Sequence, residues 1–153
     1  MENLLTQGRK ALIARLSTIT VANGYNTGAG ANVRTGWFNE QLDARDVAFP
    51  LIVVQKAKGL SPVSAPHGMK LFPGFNVVGA VDAGLNDYES AIEDLELDLL
   101  RCISPMLDGR VEWLPRGIPV IALGAPETYP PSNGTKAAAV VVPVYLTTII
   151  QGR

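Results

Sequence analysis

The sequence predicts an α+β fold: a single domain in which a mainly antiparallel or mixed β-sheet of about six strands carries two α-helices. Three observations predict it. One long helical period with its own start and stop signals lies at residues 86–106, NDYESAIEDLELDLLRCISPM. Apolar segments of strand length flank it, among them LIVV at 51–54 and FNVVGAVD at 75–82. Strand–helix–strand alternation is too sparse for a doubly wound parallel sheet.

The central helix is the most fully specified element. Asn86 is a suitable N-cap, and Glu89 stands three residues on, at capping-box spacing. Asp87, Glu89, Glu93 and Asp94 crowd the first turns, where the helix dipole favours carboxylates. Arg101 lies near the other end. Tyr88, Ile92, Leu95, Leu99 and Ile103 recur at helical spacing and predict one buried stripe. The acidic residues, Glu96 and Asp98 included, predict a negative outer face. Pro105 and Gly109 close the element.

Residues 4–19 predict a first helix, with Leu5, Leu12, Leu16 and Ile19 on one face. Gly8 weakens it by roughly 1 kcal/mol relative to Ala. Residues 23–33 follow with Gly24, Gly28 and Gly30 among asparagines, a turn-rich link. A phosphate loop needs a strand before it and a helix after it. Here the order is reversed and no lysine is near.

Residues 33–38 predict a short strand ending in Trp37 and Phe38, and 39–47 a polar connection containing Asp43, Arg45 and Asp46. Residues 48–57 read as a strand covered on both faces, with Pro50 at its start. Residues 59–74 contain Pro62, Pro66 and Pro73 and predict a long loop or extended hairpin arm. Met69, Leu71 and Phe72 lie inside it. Apolar groups on an arm that cannot reach its own core favour a neighbouring subunit. Residues 75–82 form another strand, 109–114 alternate like one, and 120–123 resume one. Residues 127–136 read as a polar hairpin loop turning at Asn133-Gly134. The last strand spans 137–150, where Pro143 predicts an edge, a bulge or a break.

The 153 residues suit one domain, and 47% hydrophobic with 18% charged composition supports a normal core. A net charge of −1 without a Lys/Arg run argues against duplex recognition. Cys102 has no partner for an internal disulfide and reads as a small buried thiol. His67, the single histidine, cannot build a metal site or a triad alone. Asp43 and Asp46 flank Arg45 and read as a solvated loop. No catalytic, cofactor or metal-binding pattern is expected. The N-terminal residues lack a signal-peptide apolar core, and no run is long enough to cross a bilayer, so a cytosolic origin is expected for an unprocessed chain.

The order of landmarks resembles the phage tail terminator, or tail completion, proteins, the group that includes the minor tail protein of lambda-like phages. The residues that carry the resemblance are the helix closing on Ile19, the turn Asn23-Gly24-Tyr25-Asn26-Thr27 with Gly30 and Val33, and the strand from Phe49 to Val54. The strand from Val77 to Asp82, the acidic helix and the C-terminal strands ending at Ile150 complete it. The 59–74 arm is longer and richer in proline than that pattern. The resemblance implies a structural virion protein of the tail and neck, without enzymatic activity. It implies a homo-hexameric ring that caps the tail tube, stops its elongation and docks the head or neck. The implied partners are the chain itself, the tail tube protein and a neck or head-completion protein, with DNA passing through the ring and no membrane; the implied place of synthesis is the bacterial host cytoplasm, and the acidic helix face is expected to turn to solvent or toward the DNA channel. Interface cores favour aromatic residues and Met, which makes Trp37, Phe38, Met69, Leu71, Phe72 and Trp113 the candidate contact residues. A tail tube or head-closure protein is the nearest alternative reading. A small ligand-binding domain or enzyme is the more remote one.

Overall fold

In chain order the elements are α1 (Leu4–Leu16), β1 (Val33–Thr35), α2 (Phe38–Leu42), β2 (Leu51–Ala65), β3 (Gly68–Asp82), α3 (Tyr88–Ile103), β4 (Val120–Leu123), β5 (Glu127–Tyr129) and β6 (Ala137–Gln151). The computed structural model describes residues 2–44, 46–84, 86–105, 108–131 and 137–152. Among the described residues the fold is α+β, with three α-helices, two single-turn 3-10 helices at Val21–Asn23 and Ala29–Ala31, and one six-stranded mixed sheet. The sheet runs β1-β2-β3-β6-β4, and β5 joins β6 on the same side as β4. Only the β1–β2 pair is parallel among these strands.

β2, β3 and β6 are the frame. β3 and β6 keep one antiparallel register from Gly68 opposite Gln151 to Asp82 opposite Ala137. Strand alternation sorts their side chains onto two faces. Ile52, Val54, Val77, Val140, Val142 and Val144 face α1 and α3 and form the larger core. Leu51, Val53, Val78, Ala80 and Ala139 face the other way, beneath Phe38, Leu42, Val47 and Phe49. The strand is therefore covered on both faces at 51–54, as its unbroken apolar run predicts.

α3 lays Ile92, Leu95, Leu99 and Ile103 against the sheet, all buried, with Tyr88 half-buried at the start. Burying such a side chain contributes about 1.5–3 kcal/mol. The cap differs from the expected one by a residue: Asp87, not Asn86, is the N-cap, and its carboxylate accepts the Ser90 N–H at 3.2 Å. That hydrogen bond holds the exposed Asp87 carboxyl below its ordinary range. α1 is capped by Asn3, which accepts the Thr6 N–H at 2.9 Å. It ends at Leu16, three residues before the predicted limit, because the following Ser17–Val21 stretch is β-branched and polar and turns away. Gly8 is buried beside Leu146 and Ile118, and a Cβ there would collide with both side chains. The glycine that weakens the isolated helix lets it approach the sheet.

Four further expectations are corrected. The strand predicted at 33–38 ends at Thr35, because Gly36 takes φ 114° and reverses the chain. Trp37 and Phe38 then start α2 inside what reads as a polar connection, and the Phe38 N–H donates to Gln55 Oε1 at 2.9 Å. Of the two readings of the 59–74 stretch, loop or hairpin arm, the structure has the hairpin arm: β2 and β3 run through it and turn at Pro66-His67. Residues 109–114 are not a strand. A single bridge joins Arg110 to Val120, and Val111, Trp113 and Leu114 pack on the larger core from an irregular segment. The polar hairpin loop contains β5, whereas the Asn133-Gly134 turn and Met106 lie outside the described residues.

Pro143 sits in a strand with neighbours on both sides and neither ends nor breaks it. In a strand the N–H and C=O of one residue point to the same side. The Pro143 carbonyl accepts the Gly124 N–H at 2.8 Å, so its missing donor faces the gap between β4 and β5, away from β3. The ladder to β3 loses nothing, and the proline falls where the neighbouring edge is interrupted.

Candidate functional site

α1 reaches the sheet at Leu146, where its Gly8 packs, and the tip beyond is exposed. β1 pairs only as far as Val54, and β4 only as far as Thr147, so the tip is a three-stranded arm of β2, β3 and the end of β6. Ladder register places its side chains. Leu60 lies opposite Phe72, Val63 opposite Lys70, and Lys70 opposite Ile149, which puts these five on one face. Ser64, Met69 and Ile150 lie in a row on the other. Leu60, Val63 and Ile149 are 52%, 55% and 63% exposed. The Lys70 ammonium stands 5.8 Å from the centre of the Phe72 ring, a cation–π distance. This is an apolar patch with one cation in its middle, left exposed by the described residues of the same chain.

The arm's free β2 edge is not an inviting template for another strand. The β2–β3 register shifts twice, between Ala57 and Leu60 and again between Leu60 and Val63. Pro62, Lys56 and Lys58 occupy the same edge. Bulges, proline and lysine all discourage edge-to-edge pairing. The faces, not the edge, are what the arm offers.

Concave regions flank β5 on both faces of the sheet. On the face away from α1 and α3, a groove of about 370 Å³ is lined by Trp37, Phe38, Gln55, Asn76, Tyr129 and Val141. Trp37 is 59% exposed at its rim. The Glu127 carboxylate beside Tyr129 raises that hydroxyl's pKa. On the helical face, a groove of about 300 Å³ separates α3 from β5. Its floor is Ile92 and Ala138, and Glu89, Glu93 and Glu96 stand along its rim.

Of the six candidate contact residues, Met69, Leu71 and Phe72 share the arm. Trp37 and Phe38 belong to the groove lined by Asn76 and Val78, on the same sheet face as Phe72 but nearer the middle of β3, with Phe38 half-buried. Trp113 packs against the larger core and joins neither group. Leu60, Val63, Ile149 and Tyr129 were missed. Leu60 and Val63 stand in a proline- and glycine-rich stretch, where alternation is interrupted by the two bulges and the strand signal is lost.

One acidic residue is not on the outer face at all. Asp98 is buried, and its carboxylate accepts the Asn26 N–H at 2.9 Å, the Thr27 N–H at 2.8 Å and the Thr27 hydroxyl at 2.8 Å. Those donors come from the glycine-rich link, which Asp98 clamps to α3. Asp87, Glu89, Glu93 and Asp94 are exposed and Glu96 is half-buried. Asp46 pairs with Arg34 at 3.3 Å, while Asp43 is exposed at the end of α2. His67 is exposed at the tip of the arm. Cys102 is buried, its thiol directed at the Arg15 carbonyl at 3.2 Å.

No protein-family model matches the chain, and no curated protein is significantly similar to it.

Proposed function

We propose that this chain is a structural virion protein of the phage tail and neck, a tail terminator that closes into a six-membered ring on the end of the tail tube. The ring stops the addition of tube subunits and presents the surface on which the neck or head-completion protein docks, with DNA passing through its centre. The observation that supports this reading most is the arm: a rigid three-stranded projection with apolar side chains exposed on both faces. Large exposed apolar surfaces mark association sites, and an arm at one end of an elongated sheet suits contact between successive copies around a ring. Met69, Leu71 and Phe72 contribute to contacts of the arm, and Trp37 with Phe38 to a second contact surface. The function is assembly and requires no enzymatic chemistry.

The test is capping. Purified protein is added to tail tubes during their polymerisation, and the tubes are imaged with sixfold averaging. The expected result is a ring of six copies at one end and an arrested tube length. Tubes that keep growing, or a terminal layer without this chain, overturn the reading.

A further inference from the structure

Charge is segregated along the chain. From 47 to 81 the charged side chains are Lys56, Lys58 and Lys70, with no carboxylate among them. From 82 to 100 every charged side chain is a carboxylate. The fold turns this division into two poles. Lys70 lies near the tip of β3 with Val63 and Ile149 beside it. The groove rimmed by Glu89, Glu93 and Glu96 has Ala138 in its floor, and Ala138 pairs with Val81, at the opposite end of β3. Eleven residues of strand separate Lys70 from Val81, which is about 36 Å.

From this we infer that the arm of one copy seats in the α3–β5 groove of the next, with Lys70 among the carboxylates of Glu89, Glu93 and Glu96 and the apolar arm residues on Ile92, Tyr88 and Pro130. The inference rests on the tail-terminator reading and names the contact between its successive subunits. The two surfaces match in kind. The arm offers apolar side chains around a cation, and the groove offers an apolar floor inside an anionic rim. Matched potentials of this kind select partner and register. Their positions at opposite ends of one sheet make the contact head-to-tail. Such a contact repeats from copy to copy and closes into a ring when its rotation allows. A two-fold contact would place the same patch on both sides, and here the patches differ. The role replaces the solvent- or channel-facing one expected for these three glutamates.

The experiment is a charge exchange on the full chain, read by sedimentation velocity over a concentration series. Lys70 and Glu93 are both exposed, so neither reversal disturbs the core, and circular dichroism melts verify this. Lys70→Glu and Glu93→Lys should each weaken self-association about tenfold or more. Mixing the two variants should restore it, because the altered arm of one then meets the altered groove of the other. The doubly exchanged chain should associate as the wild type does, and wild-type assembly should loosen at high salt. A wild type that stays monomeric at its highest soluble concentration, single variants that associate normally, or a mixture that stays dissociated overturns the pairing. Tube capping separates the two ideas. A wild type that caps tubes while ignoring the exchange leaves the tail reading standing and removes this contact. A wild type that fails to cap removes the tail reading itself.

Discussion

The Asp98 carboxylate holds Thr27 twice, through its N–H and its hydroxyl, both at 2.8 Å, across 71 residues of sequence. With the Asn26 N–H as a third donor, the buried Asp98 carboxyl group is satisfied entirely by the link that precedes β1. Asp98→Ala leaves the Asn26 and Thr27 amides without their acceptor and should cost roughly 2–4 kcal/mol. Thr27→Ala removes one donor and should cost about 1 kcal/mol. Urea denaturation of the three proteins checks this. Equal midpoints for Asp98→Ala and wild type would show that the clamp contributes nothing.

Leu95 and its neighbour Glu96 test the phase of α3. Leu95 is fully buried and Glu96 stands half-buried at a groove rim. Leu95→Ala should cost about 2–5 kcal/mol through lost packing and a cavity. Glu96→Ala should change stability by less than about 0.5 kcal/mol. Both are measured by denaturant melts at concentrations where the protein is monomeric. A larger loss for Glu96→Ala than for Leu95→Ala is incompatible with this packing.

Gly79 provides the floor on which Leu95 rests. A Cβ at Gly79 would stand 2.8 Å from Leu95 Cδ2 and 3.0 Å from Leu99 Cδ1. Gly79→Ala should therefore destabilise by about 1–3 kcal/mol by overpacking. Gly28 has nothing within 4 Å of its added Cβ and an ordinary negative φ. Gly28→Ala should be neutral or stabilising by up to about 1 kcal/mol. Thermal melts in which Gly79→Ala matched Gly28→Ala would mean that α3 can shift away from the sheet at little cost.

Tyr25 gives an alkaline signature. Burial raises its hydroxyl pKa, and the Cys102 thiol adds to this while Arg15 opposes it. The folded state thus favours the neutral phenol. Its contribution to stability is complete below the ordinary tyrosine value of about 10 and is lost as pH rises through the higher folded value. Stability should fall with rising pH in that window, and Tyr25→Phe should flatten the fall. Tyr129, also raised, contributes equally to both proteins. Chemical denaturation at successive alkaline pH values measures the slopes. A slope unchanged by the substitution would assign the alkaline loss to other groups.

What the residues determined by themselves is the set of elements whose patterns are local. The stripe of α3, the two-faced run at 51–54 and the alternation of β6 each follow from side-chain periodicity, which needs no partner to be read. These elements are enough to specify α+β. Tertiary structure decided the rest, because the deciding interactions join residues distant in sequence. Asp98 looks like one more surface carboxylate on an acidic helix until the 26–27 amides arrive above it. Pro143 looks like a strand terminator until the gap between β4 and β5 receives its missing donor. Residues 59–74 leave loop and hairpin arm both open, because proline and glycine dominate their local preferences. They become strand because β6 pairs along the tip of β3, and two bulges in β2 absorb the misfit. The exposed arm, and the groove at the far end of the same sheet, therefore exist only once that pairing is made.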